Sequence, residues 1–187
     1  MQRVSDLRLK AAVQALRAEG GVACPTESVW GLSCDPACEQ AVFRVLQLKQ
    51  RPVAKGLILV AASESQLGFL LCDLSAEERE RLSASWPGPS TWLIPHRYRL
   101  QPWVYGEHDT VAVRVSDHPV VQQLCRAWGG PLISTSANPA GAQPARSSFA
   151  VQRYFGTEVD ERLPGHVGAR PRPSQIRDLV TGEVLRA

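Results

Sequence analysis

The 187-residue chain has no apolar run of about 18 residues, the length a membrane-spanning helix needs. Its opening, MQRVSDLRLK, lacks the apolar stretch of a secretory signal. No membrane association is therefore expected, and the chain reads as cytoplasmic. Cysteine is sparse and odd in number: Cys24, Cys34, Cys38, Cys72 and Cys125 sit apart in apparent core segments, which fits reduced thiols rather than a disulfide framework. The Cys34/Cys38 spacing has no second Cys or His pair to complete a zinc site, so no metal ligands are assigned. No block of like charge and no low-complexity run appears, and the net charge of +3 is compatible with a nucleotide or RNA partner without requiring one. Neither G-x-x-x-x-G-K-[ST] nor G-x-G-x-x-G after a strand occurs, so neither a P-loop nor a dinucleotide fold is supported. The G-x-S-x-G elbow is also missing, and His96, His108, His118 and His166 stand in no triad context, which counts against a serine hydrolase.

What remains is an ordinary globular composition, 44% hydrophobic and 21% charged, at a length suited to one domain spanning 1–187. Leu7, Ala11, Ala15 and Ala18 mark a first helix over 5–19 that stops at Gly20-Gly21. Val22-Ala23-Cys24, closed by Pro25, reads as a buried strand that delivers the polar loop Thr26-Glu27-Ser28. A second helix carries Ala41, Val42, Val45, Leu46 and Leu48, and a strand follows over 56–60. Ser75 and Glu78 have capping-box spacing for a helix to about Ser85, broken by Trp86-Pro87-Gly88-Pro89. Strands are expected over 91–94 and 110–115, then a helix capped by Asp117 with Val120, Val121, Leu124 and Trp128. Pro131-Leu132-Ile133 reads as a strand, and the tail as a hairpin around Thr181-Gly182. The piece Gly168 to Pro173 reads as a surface loop. The fold expected is α/β, a twisted open mixed parallel/antiparallel sheet flanked by helices.

Three features could carry chemistry. Lys49, Arg51 and Lys55 collect on one connection, where converging cations can hold a phosphate chain, although a helix end alone also attracts such residues. Ser134, Ser136 and Asn138 lie on a turn after an apolar strand, where hydroxyl and amide groups can hold phosphate or ribose oxygens or simply close the turn. Arg114, alone inside an alternating strand, must reach the surface or find an anion such as a substrate carboxylate. Cys24, before Pro25, reads as an inert buried thiol. The five tryptophans read as core, with Trp30 beside the Thr26 loop a candidate stacking platform.

Taken in order, Pro25-Thr26-Glu27-Ser28-Val29-Trp30-Gly31-Leu32, Lys49-Gln50-Arg51-Pro52, Trp86-Pro87-Gly88-Pro89-Ser90-Thr91, Val111-Ala112-Val113-Arg114 and Ser134-Thr135-Ser136-Ala137-Asn138 resemble the YrdC/TsaC family in its short bacterial form. The resemblance implies a threonylcarbamoyl-AMP synthase: L-threonine, bicarbonate or CO2 and ATP would give threonylcarbamoyl-adenylate and pyrophosphate. A separate threonylcarbamoyl transferase complex would then modify an adenosine of tRNA. By the same resemblance Thr26, Arg114, Ser134 and Ser174 form the threonine site, and Lys49, Arg51, Lys55, Thr110, Ser136, Asn138 and Arg186 the ATP site. Lys49 and Arg51, with Mg²⁺, would stabilise the leaving pyrophosphate. Ser28, Trp30 and Ser33 stand where the commoner pattern has Thr, Tyr and Gly, Lys55-Gly56 where many members have Asn-Pro, and Pro173-Ser174-Gln175-Ile176 where Glu-Ser-Thr-Ile is commoner. A fold of this kind with a basic concave face could alternatively be a double-stranded RNA or tRNA-binding module without catalysis.

Overall fold

A computed structural model describes residues 2–170 and 174–186. The chain opens with α1 (Asp6–Arg17), whose N-cap Ser5 accepts from Arg8 N and which buries Ala12, Val13 and Leu16. Then come β1 (Val22–Pro25), β2 (Trp30–Ser33) and α2 (Glu39–Lys49). A 3-10 turn, Val53–Lys55, leads to β3 (Ile58–Ala61), and a second, Glu64–Leu67, to the short α3 (Gly68–Leu71), followed by α4 (Ala76–Ser83). The capping box read at Ser75 and Glu78 is present with both of its hydrogen bonds. The rest is β4 (Ser90–Pro95), α5 (Pro102–Tyr105), β5 (Thr110–Val115), α6 (Pro119–Trp128), β6 (Leu132–Ser136), α7 (Ser148–Phe155), β7 (Glu161–Arg162), β8 (Gln175–Asp178) and β9 (Val184–Arg186).

The strands form one nine-stranded sheet in the order β7-β1-β2-β6-β3-β5-β4-β8-β9. Pairs β1/β7, β3/β5 and β4/β8 are parallel, whereas β1/β2, β2/β6, β3/β6, β4/β5 and β8/β9 are antiparallel, so the expected mixed sheet is present. The period-two alternation of strand side chains divides the core between the two faces. Leu59 and Ile133 join Trp30, Val42 and Leu46 on one side, while Val60 and Leu132 join Leu16, Val120 and Leu124 on the other. Burial on both faces explains why β1 and β3 read as continuous apolar runs.

Two expectations about local structure change. Helix α6 starts at Pro119 with His118 at its cap and no side-chain cap bond, because Asp117 turns outward to Arg170 Nη2 at 3.2 Å. Ser134 and Ser136 lie on β6 rather than on a turn, since that strand continues between two neighbours: Ser134 pairs with Ile58 and Ser136 with Gly31. The loop expected over 168–173 is tied down where it is described, Gly168 N donating to Thr26 O at 2.9 Å and Arg170 N to Glu27 O at 3.3 Å, while 171–173 lie outside the described residues. A Cβ at Gly168 would meet Glu27 O at 2.6 Å, so glycine permits this close crossing.

Candidate active site

A cavity of about 600 Å³ opens between the end of β1, the segment after α2, strands β5 and β6, and the tail hairpin. Nine of the eleven residues singled out from the sequence line it: Thr26, Arg51, Lys55, Thr110, Arg114, Ser134, Ser136, Ser174 and Arg186. They come from segments far apart in the chain, and the strand order brings them together. Tyr105, His108, Leu57, Ile58, Val104 and Leu185 add an aromatic and apolar wall that the sequence did not announce. Tyr105 is held by His96, their rings stacked at 3.6 Å. The volume suits a nucleotide-sized ligand, with a few polar groups set among apolar ones.

Lys49 and Asn138 stand just behind this lining. Lys49 is buried, and its ammonium donates to Ser136 O, to Asn138 O at 3.0 Å and to Ser136 Oγ at 3.4 Å. The lysine therefore ties the last turn of α2 to the exit of β6. Burial, and secondarily the Arg51 charge, push its pKa down to about 8. Asn138 gives its amide hydrogens to Pro139 O and Ala142 O, both at 2.9 Å, and keeps a buried Oδ1 without a hydrogen-bond partner. Arg51 folds back on its own connection, Nε and Nη2 donating to Gly56 O at 3.2 and 2.9 Å. Its pKa is lowered by burial. Gly56, at φ 58, makes that return possible, and a Cβ there would meet Tyr105 O at 2.8 Å.

At the other end, Arg114 finds an anion within the protein: Glu27 Oε2 lies 3.4 Å from its Nη2, and both side chains are buried. Sequence reading asked for the surface or an anion and named a substrate carboxylate as one such anion; it did not name Glu27. The remaining signal was a carboxylate beside Thr26, in a loop already singled out. Glu27 Oε1 accepts from Ser116 Oγ at 2.6 Å. Burial alone would raise the Glu27 carboxyl, but the Arg114 charge and then the Ser116 hydrogen bond outweigh it and hold it below the usual carboxylate range. Thr26 Oγ1 donates to Val29 O at 2.8 Å. Ser174 Oγ accepts from Thr91 Oγ1 at 2.9 Å, and Arg186 Nε and Nη2 donate to Ser174 O at 3.2 and 2.7 Å. Arg186 is lowered by burial and then by the charge of Arg114. Trp30 is 1% exposed and packed into the core, so it walls the site instead of standing free for stacking. Cys24 is a buried thiol pushed up to about 12 by burial, as its place before Pro25 suggested.

The mixed sheet flanked by helices defines a class of α/β domain shared in fold with E. coli YciO, at 23% identity and a TM-score of 0.84, over 95% of this chain and 87% of that one. A sequence model of the Sua5/YciO/YrdC family, described as telomere recombination, matches residues 14–187. The chain belongs to that family. The threonylcarbamoyl-AMP synthase of Pseudomonas aeruginosa strain UCBPP-PA14 is 57% identical over 183 residues, 98% of each chain. P. abyssi Sua5 in complex with L-threonine is 30% identical with a TM-score of 0.88; the match takes in 96% of this chain and spans about half of Sua5, 53%.

Proposed function

We propose that this chain is a cytoplasmic threonylcarbamoyl-AMP synthase, forming L-threonylcarbamoyladenylate and pyrophosphate from L-threonine, bicarbonate or CO2 and ATP, and acting as a single domain. The observation that carries the reading is the convergence of Thr26, Arg114, Ser134 and Ser174 with Arg51, Lys55, Thr110, Ser136 and Arg186 on one cavity. The 57% identity to a curated synthase supports the same reaction. No helix among the described residues is long and apolar enough to cross a membrane.

The chemistry asked of the protein is positioning and charge stabilisation. Arg114 receives the threonine carboxylate through its planar fork of donors, with Ser134, Thr26 and Ser174 around the rest of the amino acid. The neutral amine adds to CO2 with release of a proton, or to bicarbonate with loss of water, and gives a carbamate. A carbamate oxygen then attacks the α-phosphorus of ATP while the bond to the pyrophosphate oxygen breaks. Arg51, Lys55 and Arg186 offset the charge that gathers on that leaving group, and Lys49 fixes the Ser136 to Asn138 exit against which the nucleotide lies. No covalent enzyme intermediate is required.

A magnesium ion does not find a protein-built seat here. The lining residues contain no carboxylate, and Glu27 behind them is committed to Ser116 and Arg114. No group of three or more His, Cys, Asp or Glu able to hold a metal occurs among the described residues. Magnesium therefore enters as part of the Mg-ATP substrate, and no step is assigned to a resident ion.

The product, a mixed anhydride, calls for a downstream threonylcarbamoyl transferase acting on tRNA, and tRNA or double-stranded RNA remains a candidate partner of the basic chain. The test is pyrophosphate release by the purified protein with Mg-ATP and bicarbonate, with and without L-threonine, and with L-serine as side-chain control. Threonine-dependent release above the serine rate is expected. Absence of release under all three conditions, with salt-sensitive RNA binding, would replace the synthase by a binding module.

A further inference from the structure

We propose that Glu27, held by Ser116, is the positioning residue of the threonine carboxylate site: it balances the charge of Arg114 while being kept from consuming its hydrogen-bond donors. This rests on the assignment of Arg114 to the threonine carboxylate.

Arg114 and Glu27 have side chains only 9% and 6% exposed. A guanidinium taken that far from water needs a counter-charge, and among the described residues Glu27 is its one ion-pair partner. Yet the pair is not closed. The nearest oxygen stands 3.4 Å away, and Glu27 Oε2 and Arg114 Nε are both buried without a hydrogen-bond partner. No hydrogen bond among the described residues engages the Arg114 guanidinium, so its donors are unspent, and its side chain lines the cavity while Glu27 does not. A carboxylate arriving from the cavity can take those donors in bidentate fashion.

Ser116 accounts for the gap. Residues 114 and 116 point to the same side of an extended segment. The Ser116 hydroxyl donates to Glu27 Oε1 at 2.6 Å and itself accepts from His118 N at 3.1 Å, while Ser116 O accepts from Gln122 Nε2 at 2.9 Å. The hydroxyl is thereby anchored to the start of α6, and the Glu27 backbone is pinned by Arg170 N. Between these two anchors the carboxylate cannot swing round to chelate Arg114. Arg186 lies near enough for the Arg114 charge to depress it, so loss of Glu27 would leave two cations facing one another across the site.

Two variants test this by separate routes. Glu27→Gln removes the counter-charge and frees Arg114 to leave its place; Ser116→Ala, at a residue outside the cavity lining, frees Glu27 to close on Arg114 and compete with substrate. For each, threonine KM in the pyrophosphate assay is expected to rise about tenfold, the factor that ~1.4 kcal/mol of lost binding represents, with ATP KM and kcat within about twofold. A uniformly structural role would lower kcat and disturb both KM values together. An unchanged threonine KM in Ser116→Ala, or a lower one in Glu27→Gln, overturns the proposal while a threonine-dependent wild type leaves the synthase reading standing. A wild type that releases no pyrophosphate with threonine overturns both.

Discussion

Lys49 offers the sharpest quantitative test of how the proposed nucleotide side of the cavity is built. Its ammonium spends three donors on Ser136 O, Ser136 Oγ and Asn138 O, and burial has brought its pKa from 10.5 down to about 8. That fall corresponds to about 3 kcal/mol of bias toward the neutral amine, at ~1.36 kcal/mol per pH unit. Loss of the proton removes one donor and turns a lone pair toward a carbonyl oxygen, which loosens the exit of β6. Hence kcat/KM for ATP, with threonine and bicarbonate saturating, is expected to fall as pH rises through about 8, since that parameter reports groups of the enzyme form that ATP binds. Stability moves the other way. Because the folded pKa is depressed, the native state carries the full charging penalty below pH 8 and sheds it between 8 and 10.5, where the unfolded chain binds more protons. Lys49→Met keeps the aliphatic stem and removes the titration. At pH 7 it should lose about 10- to 100-fold in kcat/KM for ATP, the range of one hydrogen bond to a charged group, ~1.5–3 kcal/mol. Its pH profile should lack the alkaline limb, and wild type should gain stability relative to it in urea titrations from pH 8 upward. A limb that persists in Lys49→Met belongs to another group. A flat wild-type profile to pH 9.5 would refute the assignment of a depressed lysine, and parallel losses of activity and stability would mean unfolding.

Other perturbations separate the site from its frame. Arg114→Lys retains the charge beside Glu27 but loses the planar fork, so threonine KM should rise about tenfold with ATP KM unchanged in steady-state kinetics. Trp92 is 1% exposed, donates from Nε1 to Ser85 Oγ at 2.9 Å and lies under the Arg177 guanidinium at 4.7 Å; Trp92→Ala should cost about 3–5 kcal/mol in urea unfolding. All five cysteines are free, but burial pushes Cys24, Cys34 and Cys125 upward, whereas Cys72 is exposed. A disulfide reagent at pH 8 should therefore modify Cys72 first and Cys38 more slowly, with the other three reacting only after denaturation.

Much of this was readable from residue order because the informative segments are locally consistent. The Ser75/Glu78 spacing signals a helix start, the alternation over 110–115 a strand and Thr181-Gly182 a hairpin turn, and each of these elements is present. Strand β2 was not anticipated, because four residues with a glycine among them give no period of their own; pairing with β1 and β6 defines it. Helix α7 was missed for a related reason: its cap, Ser147, accepting from Ala150 N, follows a stretch of Pro, Gly and Ala residues without periodicity. Asp117 is a good cap by composition but is drawn to Arg170, 53 positions away.

The same distinction runs through the site. The clustered cations and the serines of β6 could be named because their neighbours in sequence are their neighbours in space. Lys49 was read as a phosphate ligand from the company of Arg51 and Lys55. Its three acceptors, 87 to 89 positions downstream, make it a strut between α2 and the exit of β6. Glu27 and Ser116 are 89 positions apart, and no spacing rule joins them. What the sequence did contain was the problem they solve: a lone arginine in a buried strand requires a counter-charge, and the β1 loop supplies the carboxylate. A buried cation of this kind is thus a reason to search a sequence for its distant anion before assigning the charge to substrate alone. An arginine that substrate alone neutralised would be an unpaired buried charge for as long as the site stood empty, and the fold avoids that state by building Glu27 in.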